Sequence, residues 1–169
     1  MKSPFSKAKD ITRYEIPSYE RKGCVAQQMA NDSLVFVIFH QTRTDFEYEN
    51  ELPVGELGEP IKNCVSGIWD CTAVGYVINK SKVSLVDILV VNNKSVRALS
   101  WKDRFSLLRD LYDTMVPDVK KKHFEIARQY ERSLMKMFDK EISAGSCGLL
   151  LRMPGKHKVY MCRKEEDNG

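Results

Sequence analysis

The apolar positions of the N-terminal third concentrate in one run, Leu34 to Gln41, with the sequence LVFVIFHQ. Its length and its β-branched and aromatic content predict a buried strand. Residues 1–18 are polar and contain Pro4 and Pro17, and we expect them to form a segment on the surface. Residues 43–63 are acidic and rich in turn-forming residues, and this pattern predicts a long loop.

Two apolar segments with strand-like composition follow, from Gly67 to Ile78 and from Lys82 to Val91. The polar residues Asn79 to Ser81 between them predict a turn, so the two segments are expected to form a hairpin. Asn92-Asn93 predicts a second tight turn, from which the chain enters Lys94 to Ala98.

Ser100 marks the expected beginning of a helix. Its side chain can cap the first turn, and Asp103, three positions later, completes an approximate capping box. Apolar residues then recur at helical spacing, which predicts one buried face made of Trp101, Phe105, Leu108, Leu111 and Met115. Pro117 is expected to end this helix.

A second helix is predicted from Val119 to Ile142, because apolar residues recur there every three or four positions. Gly145 is expected to stop it. Two further apolar segments, Gly148 to Leu151 and Lys158 to Cys162, predict strands. The order of elements predicts an α+β fold with a largely antiparallel sheet and two consecutive helices.

The composition is that of one folded domain. The chain has 169 residues, of which 43% are hydrophobic. We expect residues 19–164 to form the domain, after a surface segment over residues 1–18, and residues 165–169 to form a polar tail. No window approaches the roughly 20 apolar residues of a membrane helix, and the N-terminus has no apolar signal core. We therefore expect no membrane partner and an intracellular location, cytoplasmic or nuclear, while the oligomeric state stays open.

Five cysteines are scattered along the chain, and no two of them have CxxC spacing. This pattern predicts neither a disulfide framework nor a metal site. The net charge of +4 is a modest bias. Basic residues nevertheless crowd the C-terminus, where Lys156, Lys158, Arg163 and Lys164 form a set suited to binding anions.

Three segments, in this order, resemble the core motifs of one enzyme superfamily. Trp69 to Thr72 resembles a strand motif of the type Asp-Gly-Glu. Ser84 to Leu108 resembles a strand with an acidic residue, followed by a helix with an arginine. Cys147 to Arg152, with the basic strand after it, resembles a Glu-Gly-Leu-Val-x-Arg strand. Together, residues 67–164 resemble the nucleotidyltransferase core of ATP-dependent DNA ligases and mRNA capping enzymes.

The resemblance implies a specific chemistry, in which a lysine in a Lys-x-Asp-Gly turn attacks the α-phosphate of ATP or GTP and carboxylates hold a divalent metal ion. This sequence departs from the pattern because it contains no Lys-x-Asp-Gly. The nearest segment is Glu20 to Gly23, which makes Lys22 the candidate relic of the nucleophile. Thr72 and Cys147 stand where carboxylates are expected, and neither can replace a carboxylate ligand of Mg²⁺.

The resemblance therefore implies a degenerate, non-catalytic core without cofactor or metal, similar to the cap-binding domain of snurportin. Such a core is expected to bind a nucleotide, an RNA end or a nucleic-acid backbone. The residues left for this purpose are Asp70, Asp87, Arg104, Arg152, Lys156, Lys158, Arg163 and Lys164. Trp69 and Tyr160 are the aromatic side chains available for stacking on a base.

Two alternative functions stay open at this point. The first is an active, divergent ligase or guanylyltransferase that uses Mg²⁺ and ATP or GTP and forms a lysyl-nucleotide adduct through Lys22. The second is a protein-interaction module, in which the acidic loop over residues 45–59 would contact a protein partner.

Overall fold

A computed structural model describes residues 2–49 and 57–165 of the chain. Along these ranges the strands are β1 (Lys9–Asp10), β2 (Val25–Met29), β3 (Leu34–Phe39), β4 (Thr44–Tyr48), β5 (Cys71–Asn79), β6 (Lys82–Val91), β7 (Lys94–Ser95), β8 (Phe124–Ile126), β9 (Gln129–Tyr130), β10 (Gly148–Arg152) and β11 (Val159–Arg163). The helices are α1 (Ile16–Arg21), α2 (Glu59–Lys62), α3 (Trp101–Thr114), α4 (Pro117–His123) and α5 (Leu134–Ser143).

The strands form two sheets. The first, which we call sheet A, has the order β1-β11-β10-β2-β9. The second, sheet B, has the order β4-β3-β5-β6-β7, with β8 also beside β6. Neighbouring strands are antiparallel except in the pairs β1–β11 and β6–β8. The predicted α+β fold is confirmed, with its largely antiparallel strands divided between two sheets and with α3 and α4 as the two consecutive helices.

The two sheets pack face to face over a shared apolar core. Met29, Leu150 and Met161 of sheet A belong to one buried cluster with Phe36 and Val74 of sheet B. The outer face of sheet A is covered by α1 and α5, and the outer face of sheet B by α3. This layering follows from strands that are apolar on both faces, because each face needs a partner layer that excludes water.

The predicted hairpin and its flanking turns are confirmed. β5 and β6 pair in antiparallel fashion down to Asn79 and Lys82. Asn92 and Asn93 both have left-handed backbone angles, with φ of 50° and 63°, which asparagine adopts more readily than most residues. The Ser100 hydroxyl accepts a hydrogen bond from the Asp103 amide at 3.4 Å and caps α3.

The prediction of a continuous loop over residues 43–63 is wrong at both ends. β4 pairs with β3, and α2 lies at the other end of the region. The acidic segment 45–59, which would contact a protein partner in one of the two alternative functions, therefore begins in a strand, and its residues 50–56 lie outside the described residues. The Asp45 carboxylate forms an ion pair with Arg43 at 3.1 Å and lies 2.8 Å from His40 Nε2.

The prediction of a single helix over residues 119–142 is also wrong. The segment contains α4, which extends only to His123, then β8, β9 and α5. Phe124 is buried and pairs in register with Val83 of β6. Because residues 124–126 form hydrogen bonds with the edge of β6, they are extended and not helical. Pro117 does not end α3, which stops at Thr114. It starts α4, where a proline without an N–H is tolerated.

The N-terminal residues are part of the core. Phe5, Ile11 and Ile16 are buried, and Lys9–Asp10 adds a parallel strand to β11. The expectation of a surface segment over residues 1–18 is therefore wrong for these residues. The local sequence is polar because only every few positions point inward.

None of the helices in the described ranges is long and apolar enough to span a membrane.

Candidate functional site

Three of the residues that the sequence singled out form one buried ion network. Asp87 of β6 accepts hydrogen bonds from Arg104 Nε of α3 at 2.9 Å and from Arg152 Nη1 of β10 at 3.1 Å. The side chains of Asp87, Arg104 and Arg152 are 0%, 6% and 1% exposed. The arrangement brings together the three predicted residues but points them at one another, so they are inaccessible to a ligand.

The guanidinium group of Arg152 is buried between two aromatic rings and polar side chains. Its guanidinium carbon lies 3.8 Å from the centroid of the Trp101 ring and 5.1 Å from that of Phe5. Its Nε donates to Gln27 Oε1 at 3.2 Å, while its Nη2 has no hydrogen-bond partner among the described residues. Burial lowers the pKa of Arg152, and the Asp87 carboxylate opposes that shift.

These carboxylates do not fit a divalent metal ion. Both oxygens of Asp87 already accept hydrogen bonds from guanidinium groups, which leaves no free carboxylate edge. Asp70 is exposed and lies in a left-handed turn with φ of 60°, where its backbone bonds to Phe39 and Asn93. Within residues 2–49 and 57–165, no group of three or more His, Cys, Asp or Glu side chains is placed to hold a metal.

A second site lies at the turn between β2 and β3, which has the sequence Ala30-Asn31-Asp32-Ser33. Asp32 forms an ion pair with Arg163 at the end of β11. The Cys147 thiol, which precedes β10, lies 3.9 Å from the other carboxylate oxygen. Burial raises the pKa of this thiol, although Lys164 opposes the shift. The predicted residues Arg163 and Lys164 therefore line this cleft of about 590 Å³, together with the unpredicted Asp32.

A third site combines lysines and tyrosines on the outer side of sheet A. It is a pocket of about 360 Å³ whose lining includes two tyrosines and four lysines: Tyr19, Tyr160, Lys7, Lys9, Lys22 and Lys158. We call it the lysine–tyrosine pocket. It brings together two predicted basic residues, Lys22 and Lys158, with the predicted aromatic Tyr160.

Local structure explains why these side chains converge. Lys9 of β1 and Tyr160 of β11 are register partners, so both leave the same face of sheet A. Lys158 lies two positions before Tyr160 along the extended chain and shares that face. Lys22 follows Tyr19 by three positions at the end of α1, and its Nζ lies 4.8 Å from the Tyr19 ring centroid.

The sequence reasoning missed Lys7, Lys9 and Tyr19. Lys7 and Lys9 lie in the segment over residues 1–18 that the sequence assigned to the surface, and the parallel pairing of β1 with β11 brings them to Tyr160. Tyr19 lies in α1, and its ring contact with Tyr160 has no local sequence signal. The stacking candidate Trp69 is half-exposed and is not part of this pocket.

Lys156 has a different position. It is exposed in the loop before β11, and its carbonyl accepts the Trp101 amide at 3.4 Å, while the Pro154 carbonyl accepts the Lys102 amide at 2.9 Å. The loop therefore satisfies the first amides of α3, which removes them as a binding site for a phosphate group.

Comparisons with known proteins identify the fold. No protein-family model matches the chain, and no curated protein matches it. A solved structure named Pmar-Lig_PreS3 matches with a TM-score of 0.60 and 10% sequence identity, over 93% of this chain and 46% of that chain. A second, Pmar-Lig_Pre., matches with a TM-score of 0.58 and 11% identity over 93% and 46%.

A third structure comes from work on DNA binding with a minimal scaffold by Lig E DNA ligases. It matches with a TM-score of 0.59 and 11% identity, over 97% of this chain and 70% of that chain. The chain thus spans about half the length of the Pmar-Lig structures and more than two thirds of the Lig E structure. The fold of this chain is accordingly an α+β fold like that of solved DNA ligase structures.

Proposed function

We propose that this chain is a non-catalytic domain with a ligase-like fold that binds nucleic acid along its backbone. The observation that carries the proposal is the convergence of Lys7, Lys9, Lys22 and Lys158 in the lysine–tyrosine pocket. These lysines come from three separate segments of the sequence, with Lys7 and Lys9 in the first, so their proximity results from the fold and not from a single local run of charge.

The charge of this pocket is not neutralised from within. None of the four lysines forms an ion pair with a carboxylate of the described residues, and all four are exposed. Lys22 contacts the Tyr19 ring, and Lys9 acts on the Glu15 carboxylate without a direct ion pair. Clustered cations without a directly bonded carboxylate repel one another, and an anion with several negative charges relieves that repulsion. A nucleic-acid backbone supplies such charges at regular spacing.

The non-catalytic part of the proposal rests on the cleft beside β2. Its turn, Ala30-Asn31-Asp32-Ser33, has an aspartate in the third position, as a Lys-x-Asp-Gly turn does, but has alanine and not lysine in the first. Lys22 does not substitute for that lysine. It precedes β2, whose five residues extend about 17 Å at a rise of about 3.3 Å per residue. Lys22 and Asp32 therefore lie at opposite ends of the strand.

A covalent-labelling experiment tests the absence of catalysis. The protein is incubated with labelled ATP and, separately, with GTP, each with Mg²⁺ or Mn²⁺, and then separated on a denaturing gel. We expect no labelled protein band with any combination. A band that disappears in the Lys22→Ala variant would show an active nucleotidyltransferase and would overturn this part of the proposal.

A binding experiment tests the nucleic-acid part. Fluorescence anisotropy is measured with a labelled oligonucleotide at increasing salt for the parent and for a variant with Lys7, Lys9, Lys22 and Lys158 all changed to Gln. For a single strand, each lost phosphate contact should reduce the slope of log K against log salt by about 0.7. We expect weaker binding and a shallower slope in the variant.

The matched control changes Lys120, Lys121 and Lys122 to Gln, because this run also carries charge but belongs to α4. Its binding should stay close to that of the parent. If no oligonucleotide binds the parent at low salt, or if the control weakens binding as much as the pocket variant does, the proposal fails.

A further inference from the structure

We infer that the lysine–tyrosine pocket binds single-stranded nucleic acid by taking one unpaired base against Tyr160, with phosphates on the flanking lysines. This inference rests on the proposed function and names the substrate class of the same site. Its observations are the paired tyrosine rings, the lysines on either side of them and the size of the pocket.

The tyrosine pair provides the surface for a base. The Tyr19 and Tyr160 ring centroids lie 4.4 Å apart, with an angle of 41° between the ring planes. Tyr19 is 7% exposed and packs in the core of the outer face, whereas Tyr160 is only partly buried. Tyr19 thus supports Tyr160 from behind, and Tyr160 offers the more accessible aromatic surface. A fixed aromatic side chain is suited to stacking with any base.

The lysines are placed to meet the phosphates of the same strand. Lys9 lies beside Tyr160 across the β1–β11 pair, and Lys158 lies two residues before it on the neighbouring edge. Lys22 lies near Tyr19 on the helix side. Cations from the sheet and from the helix therefore line the same pocket as the tyrosine pair, within reach of the phosphates that flank a base stacked there.

The size of the pocket favours an unpaired base over a duplex. A volume of about 360 Å³ lies near the lower end of the range of small-molecule sites. Bases within a duplex are stacked on both faces, so they cannot stack on a protein ring without being extruded. Single-stranded nucleic acid presents its bases without that expense in free energy.

An anionic membrane surface is the strongest competing ligand for four clustered lysines. Lipid headgroups would use the charges but would gain nothing from an aromatic ring that stacks on a base. The requirement for Tyr160 and for a base therefore distinguishes the two, and vesicles of phosphatidylserine and phosphatidylcholine are included as a probe.

The experiment compares a strand that has bases with an abasic strand of equal charge, and with a duplex, which carries about twice that charge. Anisotropy is measured with a short labelled oligothymidylate, with an abasic strand of the same length and with a duplex of that length. The variants are Tyr160→Leu, which removes the ring, and Tyr160→Phe, which keeps it. Tyr14→Leu is the matched control, since Tyr14 is 77% exposed and lies outside the pocket.

The expected result is tighter binding of the oligothymidylate than of the abasic strand or the duplex. Loss of one base–aromatic stack should weaken oligothymidylate binding by about 5- to 150-fold in Tyr160→Leu. Tyr160→Phe and Tyr14→Leu should bind like the parent. Circular dichroism of each variant shows whether it is folded. If the Leu variant is not folded, the comparison of the oligothymidylate with the abasic strand in the parent still decides the inference.

Three results would overturn the inference. They are equal affinity for the oligothymidylate and the abasic strand, preference for the duplex, and tighter binding to the vesicles than to the oligothymidylate. In the first two cases the lysine variant described above would still lose affinity, so the proposed function would survive. Absence of binding to every oligonucleotide would instead remove the proposed function itself.

Discussion

Asp87 is the residue on which the interior charge balance depends. It is fully buried, and its single negative charge is shared between the guanidinium groups of Arg104 and Arg152. A buried charge without its counterion is strongly unfavourable, because the protein interior solvates it poorly. The sequence suggested all three residues as a group, but as ligands of a nucleotide.

We predict that Asp87→Asn lowers the free energy of unfolding by about 3–5 kcal/mol, since it leaves two buried arginines without a carboxylate. Denaturant titration followed by tryptophan fluorescence measures the change. The control is Asp139→Asn, which breaks the exposed pair with Arg13 and should change stability little. Equal effects of the two substitutions would contradict the structural role of Asp87.

Glu141 gives stability a pH dependence. Burial by itself would raise the pKa of its carboxyl group, but hydrogen bonds from Arg128, Tyr130 and Ser146 outweigh burial and lower it to about 2. A carboxylate whose folded pKa lies below its unfolded value stabilises the fold above the unfolded pKa. That contribution is lost as the pH falls from about 4.5 towards 2.

We therefore predict that the parent loses stability more steeply between pH 4.5 and 2 than Glu141→Gln does. Thermal unfolding at a series of pH values gives both curves, and the difference between them isolates Glu141 from the other carboxylates. Parallel curves over this range would show that the carboxylate makes no pH-dependent contribution.

At the scale of elements, the contact between β10 and β11 requires a glycine. A Cβ added at Gly148 would lie 2.0 Å from the carbonyl oxygen of Cys162 and 2.9 Å from its carbonyl carbon. These are backbone atoms of the paired strand, so the contact cannot be relieved by a side-chain rotation.

We predict that Gly148→Ala destabilises the protein by about 1–3 kcal/mol or more, because the two strands must separate locally. Gly155→Ala is the control, since no atom lies within 4 Å of a Cβ at that position. Urea denaturation should show a lower midpoint for the first variant and an unchanged one for the second. A tolerated Gly148→Ala would mean that β11 can shift.

Elements were predictable where local signals agreed with tertiary contacts. The β5–β6 hairpin has strand-like composition and ends in the turn-forming Asn92-Asn93, so the bounds of β6 were predicted, whereas β5 begins at Cys71 and not at Gly67. The segment 119–142 failed because three-to-four spacing of apolar residues also fits two short strands between two helices. The two structures are distinguished only by the pairing of β8 with β6, which lies far away in the sequence, so the local pattern does not reveal it.

At the scale of the molecule, polar groups connect the two sheets through the apolar core. Gln27 of sheet A donates to the Val86 carbonyl of sheet B at 2.8 Å and accepts from Arg152. Arg152 in turn binds Asp87 of sheet B. The site residues were hard to predict for this reason: a sequence shows which residues carry charge, but not that they compensate one another between layers.

We predict that replacing the whole network is less harmful than breaking it. A triple variant, Asp87→Leu with Arg104→Met and Arg152→Met, should be more stable than Asp87→Asn, since it leaves no buried charge unpaired. Denaturant titration of both variants provides the comparison. A triple variant that is less stable than Asp87→Asn would show that the ions hold the sheets in position in a way that apolar packing cannot replace.

The parallel pairing of β1 with β11 also has a kinetic consequence. Lys9 and Tyr160 are far apart along the chain, so closing that contact requires a large loss of chain entropy and is expected late in folding. β1 has only two residues and is exposed, which makes it a candidate for local opening.

A ligand bound across Lys9 and Tyr160 would stabilise the pairing of β1 with β11. It should slow hydrogen exchange at the Ile11 amide, which donates to the Met161 carbonyl at 2.9 Å, while amides of the β5–β6 hairpin stay unchanged.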